Sequence, residues 1–302
     1  MLRTTVVVVT WRGAAHLADC LDALAAQDRP HRTLVVDNAS DDGTAELLAR
    51  HPSRPEVLRL PRNTGYAGGI AAALSRVDTE YVAWLNDDAA PEPGWLAALE
   101  KAMRPGVAAA ASRLEYPDGT VQSLGVGLTA LGYGADLTAP GTPFGFCGGA
   151  ALLRTAVLRD TGGVPASFFC YYEDTDTAWR LRLTGWDIAA VPDAVVRHRH
   201  GASTRPGSAR FHRWNERNRL LMLLRCAPLP VALREWVRFA GITASLPVRR
   251  RVPKAANFRL LLRCRVLGEV AIRLPATLRE RRAIGTRATV NRGVLWRRWT
   301  SG

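Results

Sequence analysis

Two acidic clusters stand far apart in the chain. Asn86-Asp87-Asp88 directly follows an apolar stretch from Tyr81 to Leu85, and Glu173-Asp174-Thr175-Asp176 opens a helix-like pattern that runs to Thr184. Hard divalent cations take oxygen ligands, are commonly held by one or two carboxylates, and complete their shell with phosphate oxygens and water. An aspartate at a strand end therefore suits Mg²⁺ or Mn²⁺ on a diphosphate, whose charge on departure such a cation offsets. A carboxylate at a helix start suits a different task, taking a proton from a hydroxyl. In that second cluster neighbouring acids raise one another's pKa while the helix N-terminus lowers it, which is expected to leave an ionised base. Both clusters also admit plainer roles, as a capping turn and as a complement to the helix macrodipole.

Further polar groups fall at similar places. His198 and His200 end a basic, strand-like run from Val195. Asp37 begins the polar turn Asp37-Asn38-Ala39-Ser40-Asp41-Asp42-Gly43, where it closes an Asx turn or meets a ligand. Gly65, Gly68 and Gly69 lie in Asn63-Thr64-Gly65-Tyr66-Ala67-Gly68-Gly69, which reads as a loop whose glycines allow a tight turn or let backbone amides approach a phosphate.

The elements that must position these groups alternate. Thr4 to Thr10 is β-branched and continuously apolar, as a buried parallel strand is, and Ala14 to Ala26 has helical spacing. Leu34 to Val36 with Thr44 to Arg50, and Val57 to Leu60 with Ile70 to Val77, repeat the unit before the strand Tyr81 to Leu85. The fold class is α/β: a Rossmann-like mixed, mostly parallel sheet with helices on both faces. Ligands of such sheets bind outside the carboxyl ends of the strands, where Asp37 and Asn86-Asp87-Asp88 fall. Tyr116-Pro117-Asp118-Gly119-Thr120 is a hairpin turn, Gly125 to Gly149 reads as a mobile loop that could serve as a lid, and Ile188 to Val191 and Ala194 to Val196 read as two short strands.

Charge divides the chain. From Arg205 onward there are 23 basic residues and four acidic ones, within a net charge of +14. Residues 1–204 form the expected catalytic domain, and 205–302 a basic region of amphipathic helices, Arg213 to Leu224, Val231 to Ala244 and Phe258 to Leu274, which either pack or lie on an anionic membrane. The five cysteines, Cys20, Cys147, Cys170, Cys226 and Cys264, are too dispersed for a zinc site or a disulfide scaffold, which fits a reducing cytosol. The first residues do not read as a signal peptide, and no stretch approaches the ~20 apolar residues that span a bilayer.

With these parts in order the chain resembles the family 2 glycosyltransferases, inverting enzymes of the GT-A fold, particularly the bacterial rhamnosyltransferase-like branch. The likeness rests on Val6-Val7-Val8-Val9-Thr10-Trp11, Val35 to Thr44, Asn63 to Gly69, Leu85-Asn86-Asp87-Asp88, Tyr116 to Ser123 and Tyr172-Glu173-Asp174-Thr175-Asp176. It implies that Asp37 contacts the pyrimidine base or ribose, and that Thr10, Asn63, Gly65, Gly68, Asn86 and Asp87 line the nucleotide-sugar site. It further implies Asp88 and His198 as ligands of Mg²⁺ or Mn²⁺, and Asp174 as the base that deprotonates an acceptor hydroxyl. The implied donor is dTDP-L-rhamnose, with UDP-hexoses and UDP-galactofuranose as alternatives. The expected acceptor is a cell-envelope glycan, lipid-linked, and the arginine-flanked amphipathic helices lead to the expectation of work at the cytoplasmic face of the membrane.

Two other classes compete. A nucleotide-dependent oxidoreductase needs G-x-G-x-x-G after its first strand, and Trp11-Arg12-Gly13-Ala14-Ala15-His16 has one glycine. A basic protein that binds membrane or nucleic acid without catalysis would work through its tail, but no nucleic-acid recognition motif accompanies the charge.

Overall fold

The computed structural model describes residues 2–199 and 207–300. His200 and the expected boundary between residues 204 and 205 lie outside them. In chain order the elements are β1 (Thr4–Thr10), α1 (Leu17–Ala25), β2 (Arg32–Asp37), α2 (Thr44–Arg50), β3 (Glu56–Arg59), α3 (Gly65–Ala73), β4 (Tyr81–Asn86), β5 (Ala89–Pro91), α4 (Trp95–Ala102), β6 (Val107–Glu115) and β7 (Val121–Ser123). There follow β8 (Val126–Leu128), β9 (Gly134–Asp136), β10 (Ala150–Arg154), α5 (Thr155–Asp160), α6 (Glu173–Leu183), β11 (Asp187–His198), α7 (Ala209–Cys226), α8 (Leu229–Ser245), α9 (Leu260–Arg287) and α10 (Arg292–Thr300).

One sheet runs β3-β2-β1-β4-β10-β6-β11-β5, with β7 added to β6. Strands β3, β2, β1 and β4 are parallel, β10 is antiparallel to both neighbours, and β11 returns parallel to β6. Every residue of β1 is buried, which explains its unbroken β-branched composition: both faces of a central parallel strand meet helices. Trp84, Trp95 and Trp179 are among the largest fully buried side chains, and each removes enough apolar surface to contribute roughly 2–3 kcal/mol.

Several elements differ from the sequence reading. Helix α3 begins at Gly65, because the Asn63 side chain accepts the Gly65 N–H (2.8 Å), so Gly68 and Gly69 are helical rather than part of a loop. The expected mobile segment 125–149 instead carries the β8–β9 hairpin and the core residues Phe144 and Phe146, which meet Trp179 and Trp84 edge-on. The two short strands expected near residue 190 are one strand, β11, with a register shift between Val191 and Val195. Helix α9 runs through Pro275 although proline removes a rung of its ladder. Val266, Val270, Thr277 and Ile284 face inward along it, and that packing holds it continuous. Helix α10 is unannounced by periodicity; Trp296 stacks on Trp179 and Trp299 meets Phe144, returning the chain to the core.

Helix α7 packs over much of its length. Its residues Glu216 to Cys226 are all buried, and its arginines are paired there: Arg219 with Glu216 (3.0 Å) and Arg225 with Asp176 (2.7 Å). Arg217, Arg219 and Arg225 are thus buried in the packing, while Arg210 near the start of the helix is exposed.

Candidate active site

The register of the sheet gathers the polar groups. Thr10 pairs with Asp37 and Val9 with Asn86, so β1, β2 and β4 end at one rim. His198 pairs with Ala89, which brings it beside Asp88. The Asn86 N–H donates to the Gly149 carbonyl (2.9 Å), and the Gly148 N–H donates to Asp174 Oδ2 (2.9 Å). Two adjacent glycines thereby tie the first acidic cluster to the second. Asp88 and Asp174 open onto a single cavity of about 910 Å³, also lined by Asn63, Gly65, Asn86, Asp87 and His198.

Asp174 is held by its surroundings. Besides Gly148, the Thr175 N–H (2.6 Å) and hydroxyl (3.0 Å) donate to its Oδ1. Burial raises its carboxyl above the ordinary aspartate value, and these three donors oppose that rise without cancelling it. The expected lowering by the helix terminus is therefore outweighed by desolvation. Glu173 is raised further, first by burial and then by Asp174. Asp176 turns the other way, into the core, where Arg180 (2.8 Å) and Arg225 (2.7 Å) bind it and overcome its desolvation.

The chain enters α6 through a strained segment. Phe169, Tyr171 and Tyr172 all have positive φ, 69°, 72° and 69°, a conformation costly for side chains of this size. Buried Asn218 of α7 holds it by donating to the Phe168, Cys170 and Tyr171 carbonyls (2.9, 2.8 and 2.8 Å). Asn218→Ala is expected to destabilise the protein by about 1–3 kcal/mol and to lower kcat, since the segment leads directly into Asp174. Thermal unfolding and steady-state rates check this; a lowered melting point with unchanged kcat would confine Asn218 to folding.

On the other wall the His198 ring joins three partners. Its Nδ1 lies 2.8 Å from Gln122 Oε1, and its Nε2 lies 3.1 Å from Asp88 Oδ1 and 3.0 Å from Asn86 Nδ2. The Gln122 amide oxygen fixes the ring from behind, with Nε2 turned to Asp88 and Asn86. Burial works to raise the Asp88 carboxyl, but the His198 hydrogen bond and the charges of His198 and His16 bring it below its ordinary value. Asp87 meets His16 (3.3 Å), whose pKa it raises through that contact.

An imidazole nitrogen and an ionised carboxylate side by side, with the ring fixed from behind by an amide oxygen, match a cation site. Among the described residues no group of three or more His, Cys, Asp or Glu could hold a metal. A pair of this kind fits a cation only where a diphosphate and water supply the remaining ligands.

Three expected site residues lie elsewhere. Thr10 is fully buried behind the rim, and its hydroxyl has no hydrogen-bond partner among the described residues. Asp37 lines a second hollow with Arg59 and Leu48, its carboxylate bound by Arg59 (2.6 Å) and the Ser40 N–H (2.9 Å). Gly68 sits inside α3, where a Cβ would come within 2.6 Å of Thr64.

Comparison with known proteins gives the family. The family model "Glycosyl transferase family 2" matches residues 5–162. The chain belongs to glycosyl transferase family 2. This glycosyltransferase is 27% identical over 235 residues to an N-acetylglucosaminyl-diphospho-decaprenol L-rhamnosyltransferase of Mycobacterium tuberculosis, covering 66% of this chain and 76% of the relative. It is 27% identical over 281 residues to galactofuranosyltransferase GlfT1 of the same species, covering 82% and 90%. Its fold is that of a mannosyltransferase from Pyrobaculum calidifontis solved with GDP-Man and Mn²⁺, at 20% identity, a TM-score of 0.54 and coverage of 99% and 83%. That architecture is GT-A, with a helical region after it.

Sequence reasoning missed part of the glycosyltransferase's cavity. Gln122 stood within a recognised motif without a role, because its partner His198 is 76 residues away. Tyr133 and Asp136 come from the supposed lid, and Arg210, Phe211 and Trp214 from the start of α7. Phe169 packs on Trp214 with ring centroids 4.7 Å apart, so α7 closes the aromatic wall. An amphipathic helical pattern carried no sign of that role.

Proposed function

We propose that this glycosyltransferase is metal-dependent and inverting, and moves a sugar from a nucleotide-diphosphate donor to a hydroxyl of a lipid-linked cell-envelope glycan at the cytoplasmic face of the membrane. The observation that carries the reading is the opening of Asp88, His198 and Asp174 onto one cavity of about 910 Å³, within the range of sites that enclose small-molecule ligands. Asp88 and His198 would hold Mg²⁺ or Mn²⁺, which would supply positive charge beside the departing diphosphate.

The protein's own groups act as follows. Asp174, ionised and fixed by Gly148 and Thr175, takes the proton of the acceptor hydroxyl. The acceptor oxygen bonds to the anomeric carbon as the bond from that carbon to the diphosphate oxygen breaks, and the nucleoside diphosphate leaves from the opposite face. One displacement inverts the anomeric centre. Phe169, Tyr171 and Trp214 form an apolar wall that excludes water from the reacting groups. Asp37 with Arg59, in the second hollow, would serve the nucleotide base and ribose, while buried Thr10 and Gly68 would support the site from behind.

The leading donor is dTDP-L-rhamnose, supported by the rhamnosyltransferase relative, whose name also supports a diphospho-lipid acceptor. UDP-galactofuranose is the second reading, favoured by a match that spans 90% of a galactofuranosyltransferase. A panel of nucleotide sugars with Mg²⁺ or Mn²⁺ separates them, because a ligand at 100 times its Kd stabilises the folded form by about 2.7 kcal/mol. The expected result is a raised melting point with dTDP-rhamnose, then transfer with inverted anomeric configuration by NMR. Stabilisation by UDP-galactofuranose alone would move the assignment to the second reading, and no response to any nucleotide sugar would overturn both.

A further inference from the structure

Among the described residues no helix is long and apolar enough to cross a membrane. Helix α8 nevertheless turns apolar residues outward. Its inward face is Ala232, Glu235, Phe239 and Thr243, while Leu229, Leu233, Trp236 and Val237 on the outward face are exposed. Beyond exposed Gly241 and Ala244, the 3₁₀ turn after it buries Leu246 and ends on Val248, which is 83% exposed. At about 1.5 Å per residue the interrupted stripe from Leu229 to Val248 is roughly 28 Å long.

The charges around it have one sign. Arg234 and Arg238 flank the stripe with side chains 57% and 47% exposed, and Arg249, Arg250 and Arg251 follow it, all exposed. Glu235 is the one acid between Leu229 and Arg259, and it is buried and bound to Arg219, Arg234 and Arg238. An apolar stripe with basic margins suits a bilayer interface with anionic headgroups. A second copy of the chain suits it less, since a two-fold contact across α8 would set arginine margins against each other.

The inner side of α8 reaches the cavity wall. Arg234 donates to the Ala130 carbonyl (3.0 Å) and Arg219, paired with Glu235, to the Leu131 carbonyl (2.7 Å), so both hold the loop before Tyr133. Tyr133 lines the cavity and donates to Glu216 of α7 (2.9 Å).

We infer that the outward face of α8, from Leu229 to Val248 with Arg249 to Arg251, docks the enzyme on an anionic phospholipid surface. The docking stands on the helix itself; its value in presenting the cavity to a lipid-linked acceptor rests on the proposed function.

Co-sedimentation of the full chain with phosphatidylglycerol-containing and pure phosphatidylcholine vesicles tests it. The expected result is binding to the anionic vesicles that weakens with salt. V237E/V248E is expected to lose at least about tenfold in affinity, and replacement of Arg249, Arg250 and Arg251 by Gln on the order of a hundredfold at low salt. Both variants change exposed residues, and their melting points should match the wild type. Brominated lipids should quench tryptophan emission less in W236F. Absence of vesicle binding, unchanged binding by V237E/V248E, or a wild-type dimer that this variant dissociates in place of vesicle binding would each overturn the inference. Vesicle binding by a protein that transfers no sugar would leave the docking intact and defeat the proposed function instead.

Discussion

Asp174→Asn is expected to lower sugar transfer by roughly 10²–10⁴-fold, the usual contribution of a positioned general base, while leaving donor binding in place. Asparagine keeps the shape but accepts no proton from the acceptor hydroxyl. The fold should tolerate it, because two effects oppose each other. The carboxylate loses one of the acceptor roles it fills for Gly148 and Thr175, worth about 1 kcal/mol, and the desolvation that raises its pKa is relieved. The measurement is kcat against donor Kd, with the melting point as control. Full turnover in Asp174→Asn would remove the base assignment.

The same carboxyl sets an expected pH dependence. Asp174 works ionised, and its folded-state pKa lies above the ordinary value near 3.8, so kcat/KM should fall with acid along a limb displaced upward from that value. That limb should vanish in the residual activity of Asp174→Asn. The linkage has the matching sign: for an acid raised in the folded state, the associated stability is complete below the unfolded-state pKa and lost as pH rises through the folded one. Glu173, raised by burial beside it, acts in the same direction.

Asp88→Ala is expected to weaken metal-dependent donor binding by more than the roughly 10–100-fold that loss of an outer-shell partner costs, because Asp88 is itself the proposed oxygen ligand. His198 should stay in place, since Gln122 and Asn86 still hold its two ring nitrogens. Titration of the nucleotide sugar by calorimetry, with Mn²⁺ and with chelator, separates the effects. Wild type and variant should converge in chelator and differ with Mn²⁺; an unchanged response to Mn²⁺ in Asp88→Ala would exclude Asp88 as the ligand.

Much of this site was legible in the residues. β1 and β4 were visible as continuous apolar runs, and polar residues just beyond them had to fall at the carboxyl rim of a parallel sheet. Segment 125–149 was misread for an equally physical reason. Its hairpin strands are three residues each, too short for a period, and Phe144 and Phe146 find Trp179 and Trp84 only through long-range packing.

By itself the sequence determined the alternation of strands and helices, the order of the motifs and the residue types able to bind a cation or accept a proton, because these depend on local periodicity and side-chain chemistry. The tertiary structure alone decided that Asp174 faces the cavity while Asp176 is neutralised by Arg180 and Arg225, and that His198 reaches Asp88. It also decided that α7 is buried whereas α8 turns apolar residues to solvent. Helical spacing states that two faces differ; which face meets the core is set by partners remote in sequence.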